Sequence, residues 1–274
     1  MNNTKLVVTT VQMNSKPDVQ KNLDFLQREF NALARYENHL VVLPECFAFF
    51  GGRDISQASI KENYLDGPIQ SFLAEQARLH NIWIVAGSMP VAIEQNERFH
   101  AACLVFAPDG SCKTQYNKIH LFDVEVSDST GTYKESATTM AGNQVVVIDT
   151  PFAKLGLAIC YDLRFPELFR QMQALDADII CVPSAFTQVT GEAHWQVLLQ
   201  ARAIENQCFI VAANQSGTHE NGRETWGHSM VVDPWGNIIS QQNVQIGTLS
   251  CEINLDKITQ IRHKMPNLLH RKLK

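Results

Sequence analysis

The sequence has no apolar run long enough to cross a membrane. The longest runs span four to seven residues, as in Val145 to Ile148 and Leu155 to Tyr161, where a spanning helix needs roughly 20. The start, Met1 to Gln12, lacks the long apolar core and small-residue cleavage site of a signal peptide. It reads as the first strand of a cytoplasmic protein. An excess of positive charge is missing as well. Lys and Arg number 23 against 28 Asp and Glu, a net charge of −5, which speaks against broad nucleic-acid binding. The only basic cluster, His270 to Lys274, reads as a solvated end. Paired thiols are scarce: the seven cysteines are odd in number and include no C-x-x-C, so reduced thiols fit better than a disulfide frame. There is no G-x-G-x-x-G, no P-loop, no H-E-x-x-H and no G-x-S-x-G. The nine histidines are scattered without ligand-like pairs. Neither a metal nor a cofactor is expected.

What is present is ordinary globular composition, 45% hydrophobic and 19% charged over 274 residues, enough to bury a substantial core. No linker or internal repeat divides the chain, and a single α/β domain over residues 1–274 is expected. Leu6 to Gln12 reads as a strand. Ser15 and Pro17 look like a helix start, followed by Val19, Leu23, Leu26, Phe30 and Leu33 at helical spacing. Strands are expected at His39 to Leu43, Ile82 to Ser88, Gln144 to Asp149, Leu155 to Cys160, Asp178 to Val182, Cys208 to Ala213 and Gly247 to Ile253. Helices are expected at Pro68 to His80, Pro166 to Leu175, Glu192 to Asn206 and Leu255 to Lys264. Hairpins fold back at Pro108-Asp109-Gly110 and at Asp233 to Gly236. Alternating strands and helices interrupted by hairpins imply mixed sheets. Strands apolar on both faces imply sheets covered by helices or stacked on each other.

Three places set a chemically active residue at the end of a strand. In Leu43-Pro44-Glu45-Cys46-Phe47 a carboxylate follows an apolar strand into aromatic surroundings. A carboxyl group among apolar neighbours gains proton affinity, which suits a general base. In Tyr116-Asn117-Lys118-Ile119-His120, a lysine ends a hairpin strand. In Ile159-Cys160-Tyr161-Asp162-Leu163-Arg164-Phe165-Pro166, a thiol lies between a strand end and a helix start, where backbone N–H groups favour thiolate and oxyanion. Each has an ordinary alternative: a loop carboxylate, a solvated lysine, a buried thiol. Together they supply a nucleophile, a base and a fixed cation, a set that performs acyl transfer without histidine.

LPECF, YNKIHLFD and GLAICYDLRFPEL, in this order, resemble the nitrilase superfamily of carbon–nitrogen hydrolases, and the resemblance extends over nearly the whole chain. It implies a four-layer α-β-β-α sandwich of two mixed sheets covered by helices. It also implies a Glu-Lys-Cys triad at Glu45, Lys118 and Cys160, with an additional active-site glutamate at Glu135 or, as the weaker choice, Glu125. Such proteins commonly pair through helices near the active site. The residues after Cys160 and the segment Glu192 to Asn206 are candidates for a homodimer or higher homo-oligomer interface. Tyr161-Asp162 after the cysteine matches amidase-type branches, where true nitrilases usually carry Trp-Glu. Pro183 to Thr187, Thr190 to Trp195, Ala201 to Glu205 and Gly227 to Gly236 are similar to the branch that hydrolyses ω-amides of 2-oxo acids. Ala203-Ile204-Glu205 followed by Gln207-Cys208, the Asp233 to Gly236 turn and the ending from Met265-Pro266 favour its deaminated-glutathione arm. The alternatives are an ω-amidase acting on 2-oxoglutaramate or 2-oxosuccinamate and an N-carbamoyl amine hydrolase.

The implied cycle passes a proton from Cys160 to Glu45, forms a thioester with Lys118 and the Tyr161 N–H holding the oxyanion, and releases ammonia and an acid. Glu135 orients Lys118 or the substrate. Arg164 clamps a substrate carboxylate or, alternatively, pairs with Asp162 or Glu167. Phe186 and Thr187 line the pocket with Tyr161, and Trp195 is core or pocket wall. The expected partner is a small-molecule amide, with neither nucleic acid nor membrane. Two rival readings are a Cys-His hydrolase using His194 or His228 with Cys160, and a silent binding protein of the same fold.

Overall fold

The computed structural model describes residues 5–52, 54–128 and 130–273. Met1 and Lys274, which bound the expected domain, lie outside the described residues. Two mixed sheets form the centre of the fold. The first joins Gly247–Asn254, Lys5–Gln12, His39–Val42, Trp83–Val85 and Phe99–Phe106 in that order. Met89–Ala92 and Cys112–Asn117 also pair with the long strand Phe99–Phe106. The second runs Ile238–Gln241, Met230–Val232, Phe209–Ala212, Ile179–Cys181, Lys154–Leu157 and Val147–Asp149. In each, three parallel strands make the middle and antiparallel strands make the flanks.

The period-two pattern decides which faces meet. Leu6, Val8, Leu40, Val42, Trp83 and Val85 belong to the same apolar cluster as Leu155, Leu157, Ile179 and Cys181 of the second sheet. The alternate residues Val11, Val41 and Ile84 join Leu26, Phe30, Ile69 and Leu73 of the helices Val19–Ala32 and Pro68–His80. The helices Pro166–Ala174 and Gln196–Asn206 cover the second sheet through Phe169, Met172, Leu199 and Ala203. Burying each large side chain of this kind contributes about 1.5–3 kcal/mol relative to exposure. The result is the α-β-β-α sandwich, with the strands' carboxyl ends and their following loops gathered at one place.

Several boundaries differ from the sequence reading. The first helix is capped by Asp18, whose carboxylate accepts the Lys21 N–H at 3.2 Å, while the Ser15 hydroxyl is spent on the Phe47 carbonyl at 3.0 Å. The expected strand Ile82 to Ser88 is shortened to Trp83–Val85, and a second strand follows at Met89–Ala92. Helical structure begins at Gln188, four residues before Glu192, and passes through a π-turn at Gly191–Trp195. Gly191 permits this, because a Cβ there would stand 2.2 Å from Trp226. Cys160 leaves the strand and opens a 3-10 turn, Cys160–Arg164.

Candidate active site

Glu45 follows the strand His39–Val42 of the first sheet, and its loop is tied down on several sides. The Glu45 carbonyl accepts from Gln215 Nε2 at 2.9 Å, and the Cys46 N–H donates to Ser88 Oγ at 2.9 Å. Gly87, at φ +45°, allows the approach: a Cβ there would stand 1.9 Å from the Pro44 carbonyl. Any larger residue would push the carboxylate out of position. Lys118 follows Cys112–Asn117; its N–H donates to Ala101 O at 3.0 Å and its carbonyl accepts from the Gly142 N–H at 2.8 Å.

The Lys118 ammonium, 2% exposed, contacts Glu45 Oε1 at 2.7 Å and Glu135 Oε2 at 2.8 Å. Burial disfavours its charge, but the two carboxylates prevail and hold its pKa well above the usual lysine range. Glu135 also accepts the Phe122 N–H at 2.7 Å. Burial raises its pKa and Glu45 adds to the rise, while Lys118 works against both. Glu125 is exposed on the neighbouring strand Asp123–Glu125. Of the two alternatives for the additional glutamate, Glu135 is therefore the one against Lys118. Glu45 does not sit among apolar groups alone, as the flanking phenylalanines suggest; its carboxylate faces an ammonium.

Cys160 adopts φ +48°, a left-handed conformation that non-glycine residues visit at a cost. Its N–H donates to Pro183 O at 2.8 Å. The Glu45 carboxylate, the Lys118 ammonium and the Ala185 N–H all act on its thiol. Burial and then Glu45 push its pKa well above the thiol range; Lys118 and the Ala185 N–H pull it back only in part. In the resting site Cys160 is a protonated thiol with a carboxylate in position to take its proton.

Asp162 underlies both segments. Its fully buried carboxylate accepts the Tyr116 hydroxyl at 2.6 Å and the Ile159 N–H at 2.9 Å on Oδ2, and the His120 N–H at 3.0 Å on Oδ1, which also meets His120 Nδ1 at 2.7 Å. One residue therefore fastens the Cys160 turn to the strand end that carries Lys118.

A cleft opens over these groups, and Tyr161, Arg164, Phe186 and Thr187 are among the residues that line it. Asp162 is engaged by Tyr116, Ile159 and His120, and the Arg164 guanidinium lies 5.9 Å from the Tyr161 ring centre and 5.4 Å from that of Phe186, with Nη1 at 3.3 Å from His194 Nδ1. Trp195 is fully buried core, its Nε1 donating to His228 O at 2.8 Å. Neither His194 nor His228 lines the cleft. Cys46, Gln57, Tyr133 and Arg223 line it without having been singled out from sequence. They lie in loops, a short polar strand and the 3-10 helix Asp54–Ile60, where local pattern carries no signal of a common destination.

The sequence pattern described as carbon-nitrogen hydrolase matches residues 7–263. A Yersinia enterocolitica protein named deaminated glutathione amidase is 43% identical, over 96% of this chain and 92% of its own. The Caenorhabditis elegans NitFhit protein structure superposes with a TM-score of 0.89 at 37% identity, covering 99% of this chain and 66% of that one. The Nesterenkonia sp. AN1 amidase, in a mutant with the acetamide moiety of fluoroacetamide added covalently at its active-site cysteine, superposes with a TM-score of 0.79 at 25% identity and 97% coverage of both chains. No helix among the described residues is long and apolar enough to cross a membrane. With this likeness along almost its entire length, the chain belongs to the carbon-nitrogen hydrolase family and is a hydrolase of carbon–nitrogen bonds other than peptide bonds.

Proposed function

We propose that this chain is an amidase that cleaves deaminated glutathione through a thioester on Cys160. The observation that carries the reading is the buried Lys118 ammonium clamped between Glu45 and Glu135, with the Cys160 thiol in the same cleft. Because the thiol is held protonated, thiolate forms only as Glu45 takes the proton during attack on the amide carbon. Negative charge then develops on the carbonyl oxygen. Lys118 and the backbone N–H of Tyr161 are its proposed donors, worth most in a dry site. Glu45 returns the proton to the departing nitrogen, then activates the water that opens the thioester. Glu135 exchanges no proton; it holds Lys118 with both oxygens, at 3.1 and 2.8 Å. Arg164 clamps the carboxylate of the 2-oxo acid, flanked by Tyr161, Phe186 and Thr187.

The relatives named deaminated glutathione amidase support this substrate. In deaminated glutathione the amide nitrogen belongs to cysteine, so the leaving group is the amine of cysteinylglycine. Ammonia is the product only with terminal amides such as 2-oxoglutaramate. The decisive experiment supplies both and measures 2-oxoglutarate release, with mass spectrometry of the enzyme for the acyl adduct on Cys160. Glu45→Gln is expected to abolish turnover. Hydrolysis of neither substrate, or a Glu45→Gln enzyme close to wild-type rate, would overturn the reading.

The same proposal places the chain in the cytoplasm, as one domain and as a homodimer. Seven free cysteines suit a reducing compartment. The helix Gln196–Asn206 exposes Val197 (66%) and Ile204 (44%), with Trp235 also exposed (57%), an apolar face suited to a second copy. Val197→Asp is expected to shift a dimer to monomer in sedimentation.

A further inference from the structure

The stretch Ala201-Arg202-Ala203-Ile204-Glu205 sends no side chain into the cleft. Arg202 is nonetheless buried, at 6% exposure, where a cation without partners is costly. Its guanidinium is committed on two sides. Nε and Nη2 donate to the Leu163 carbonyl at 3.1 and 2.9 Å, and Nη1 donates to Glu205 Oε1 at 2.9 Å. Glu205 is fixed in turn: Arg170 Nη1 donates to its carbonyl at 2.6 Å, and Arg170 Nη2 lies 3.7 Å from its Oε2. The Phe169 ring centre stands 5.3 Å from Arg202 Cζ.

The place of Leu163 in the chain explains why it takes a side-chain donor. It belongs to the 3-10 turn Cys160–Arg164, in which a carbonyl accepts from the N–H three residues ahead. Ile159 and Asp162 find that donor: the Asp162 N–H donates to Ile159 O, and the Phe165 N–H to Asp162 O, both at 3.0 Å. Three residues ahead of Leu163 is Pro166, which has no N–H. Leu163 is fully buried, and a buried carbonyl without a donor costs free energy. Arg202 brings two N–H groups to it from another element.

The turn also needs outside support because Cys160 holds φ +48°, a strained conformation that lasts only where the surroundings over-determine it. Asp162 fastens the start of the turn, at the Ile159 N–H, to the segment of Lys118. Arg202 fastens its end, at the Leu163 carbonyl, to the helix Gln196–Asn206. Cys160 and Tyr161 lie between the two anchors.

We propose that Arg202 is a positioning residue for the reaction: without touching substrate, it holds the Cys160 thiol and the Tyr161 N–H in the geometry that attack on the amide requires. This rests on the function proposed above and deepens it.

The test measures kcat, KM and Tm with deaminated glutathione, each variant being assayed well below its own Tm. Arg202→Met keeps the stem and removes every donor. It is expected to lower kcat about 10- to 100-fold, the scale of a displacement near 1 Å at a reacting group. KM should change less than about threefold, because Arg164 keeps its own contacts with Phe186 and His194. Arg202→Lys retains the charge and one donor but not the fork, so it should recover part of the lost kcat. Rapid-quench mass spectrometry separates the causes: misfolded enzyme lowers the amplitude of Cys160 acylation, whereas a displaced thiol lowers its rate, which is the expected result. An Arg202→Met enzyme with a lower Tm and wild-type kcat would overturn the proposal, as would a loss confined to KM or to acylation amplitude. If Arg202→Met does not fold, Arg202→Lys decides: reduced kcat at wild-type KM supports the proposal, and wild-type kcat overturns it. Absence of hydrolysis by the wild-type enzyme would instead refute the function itself.

Discussion

Replacing Asp162 by Asn tests whether one buried carboxylate joins the two halves of the site. The exchange keeps the shape and removes the charge. Each Asp162 oxygen accepts one backbone N–H, from Ile159 on Oδ2 and from His120 on Oδ1. An amide has a single acceptor oxygen, so its NH2 must face one of those N–H groups. Tyr116 can turn its hydroxyl to accept, and His120 can change tautomer; a backbone N–H can do neither. One buried donor is orphaned, at about 1–3 kcal/mol, and the surviving bonds lose charge assistance. The expected total is roughly 2–4 kcal/mol, a fall of about 5–10 °C in Tm for a chain of this size. Because the lost bond releases either the Cys160 turn or the Lys118 segment, kcat should fall as well. Displacement of order 1 Å at a reacting group costs about 100-fold. Thermal unfolding and steady-state hydrolysis read the two effects separately. An Asp162→Asn enzyme with wild-type Tm and kcat would show that the network positions nothing.

Other expectations follow from the same geometry. Cys160→Ala should abolish turnover with the fold retained in circular dichroism, whereas Cys103→Ala and Cys181→Ala, at fully buried strand positions, should lower Tm and leave kcat nearly unchanged. Arg164→Ala should reduce kcat/KM for 2-oxo-acid amides by roughly 10- to 150-fold, from a charged hydrogen bond of about 1.5–3 kcal/mol, with a much smaller effect on a neutral amide; equal losses would make Arg164 a support for the turn. Acid should destabilise the fold through His39 and His219, whose pKa values burial lowers to about 4 from 6.5. Between those values the unfolded chain binds the extra protons, so stability is lost as pH falls from 6.5 to 4, by up to about 1.4 kcal/mol per pH unit for each histidine. Denaturant titrations of His39→Gln should show a shallower acid dependence, and an unchanged slope would assign the loss to other groups.

The legible part of this protein was what adjacent residues encode. Period-two and helical spacing mark the central strands and the four covering helices, because each of those elements must bury one face or both. Glu45, Lys118 and Cys160 were visible because each stands just past the end of a strand, within a motif of continuous sequence. Short polar strands such as Asp123–Glu125, Thr132–Lys134 and Ser216–Thr218 left no trace. They are too brief for a period and are held by pairing rather than by burial. The family resemblance favoured Glu135 over Glu125; only the fold shows Glu135 against Lys118 and Glu125 exposed. Sequence offers Asp162 only as one alternative ion-pair partner for Arg164, beside Glu167; the fold gives it to Tyr116, His120 and Ile159. Arg223 is 178 residues from Glu45 in the chain, and only the packing of its hairpin against the first sheet's loops sets it over Phe50 and Tyr133. Local propensity fixes which face of a segment is buried, but a site drawn from both sheets depends on contacts whose partners no local pattern specifies.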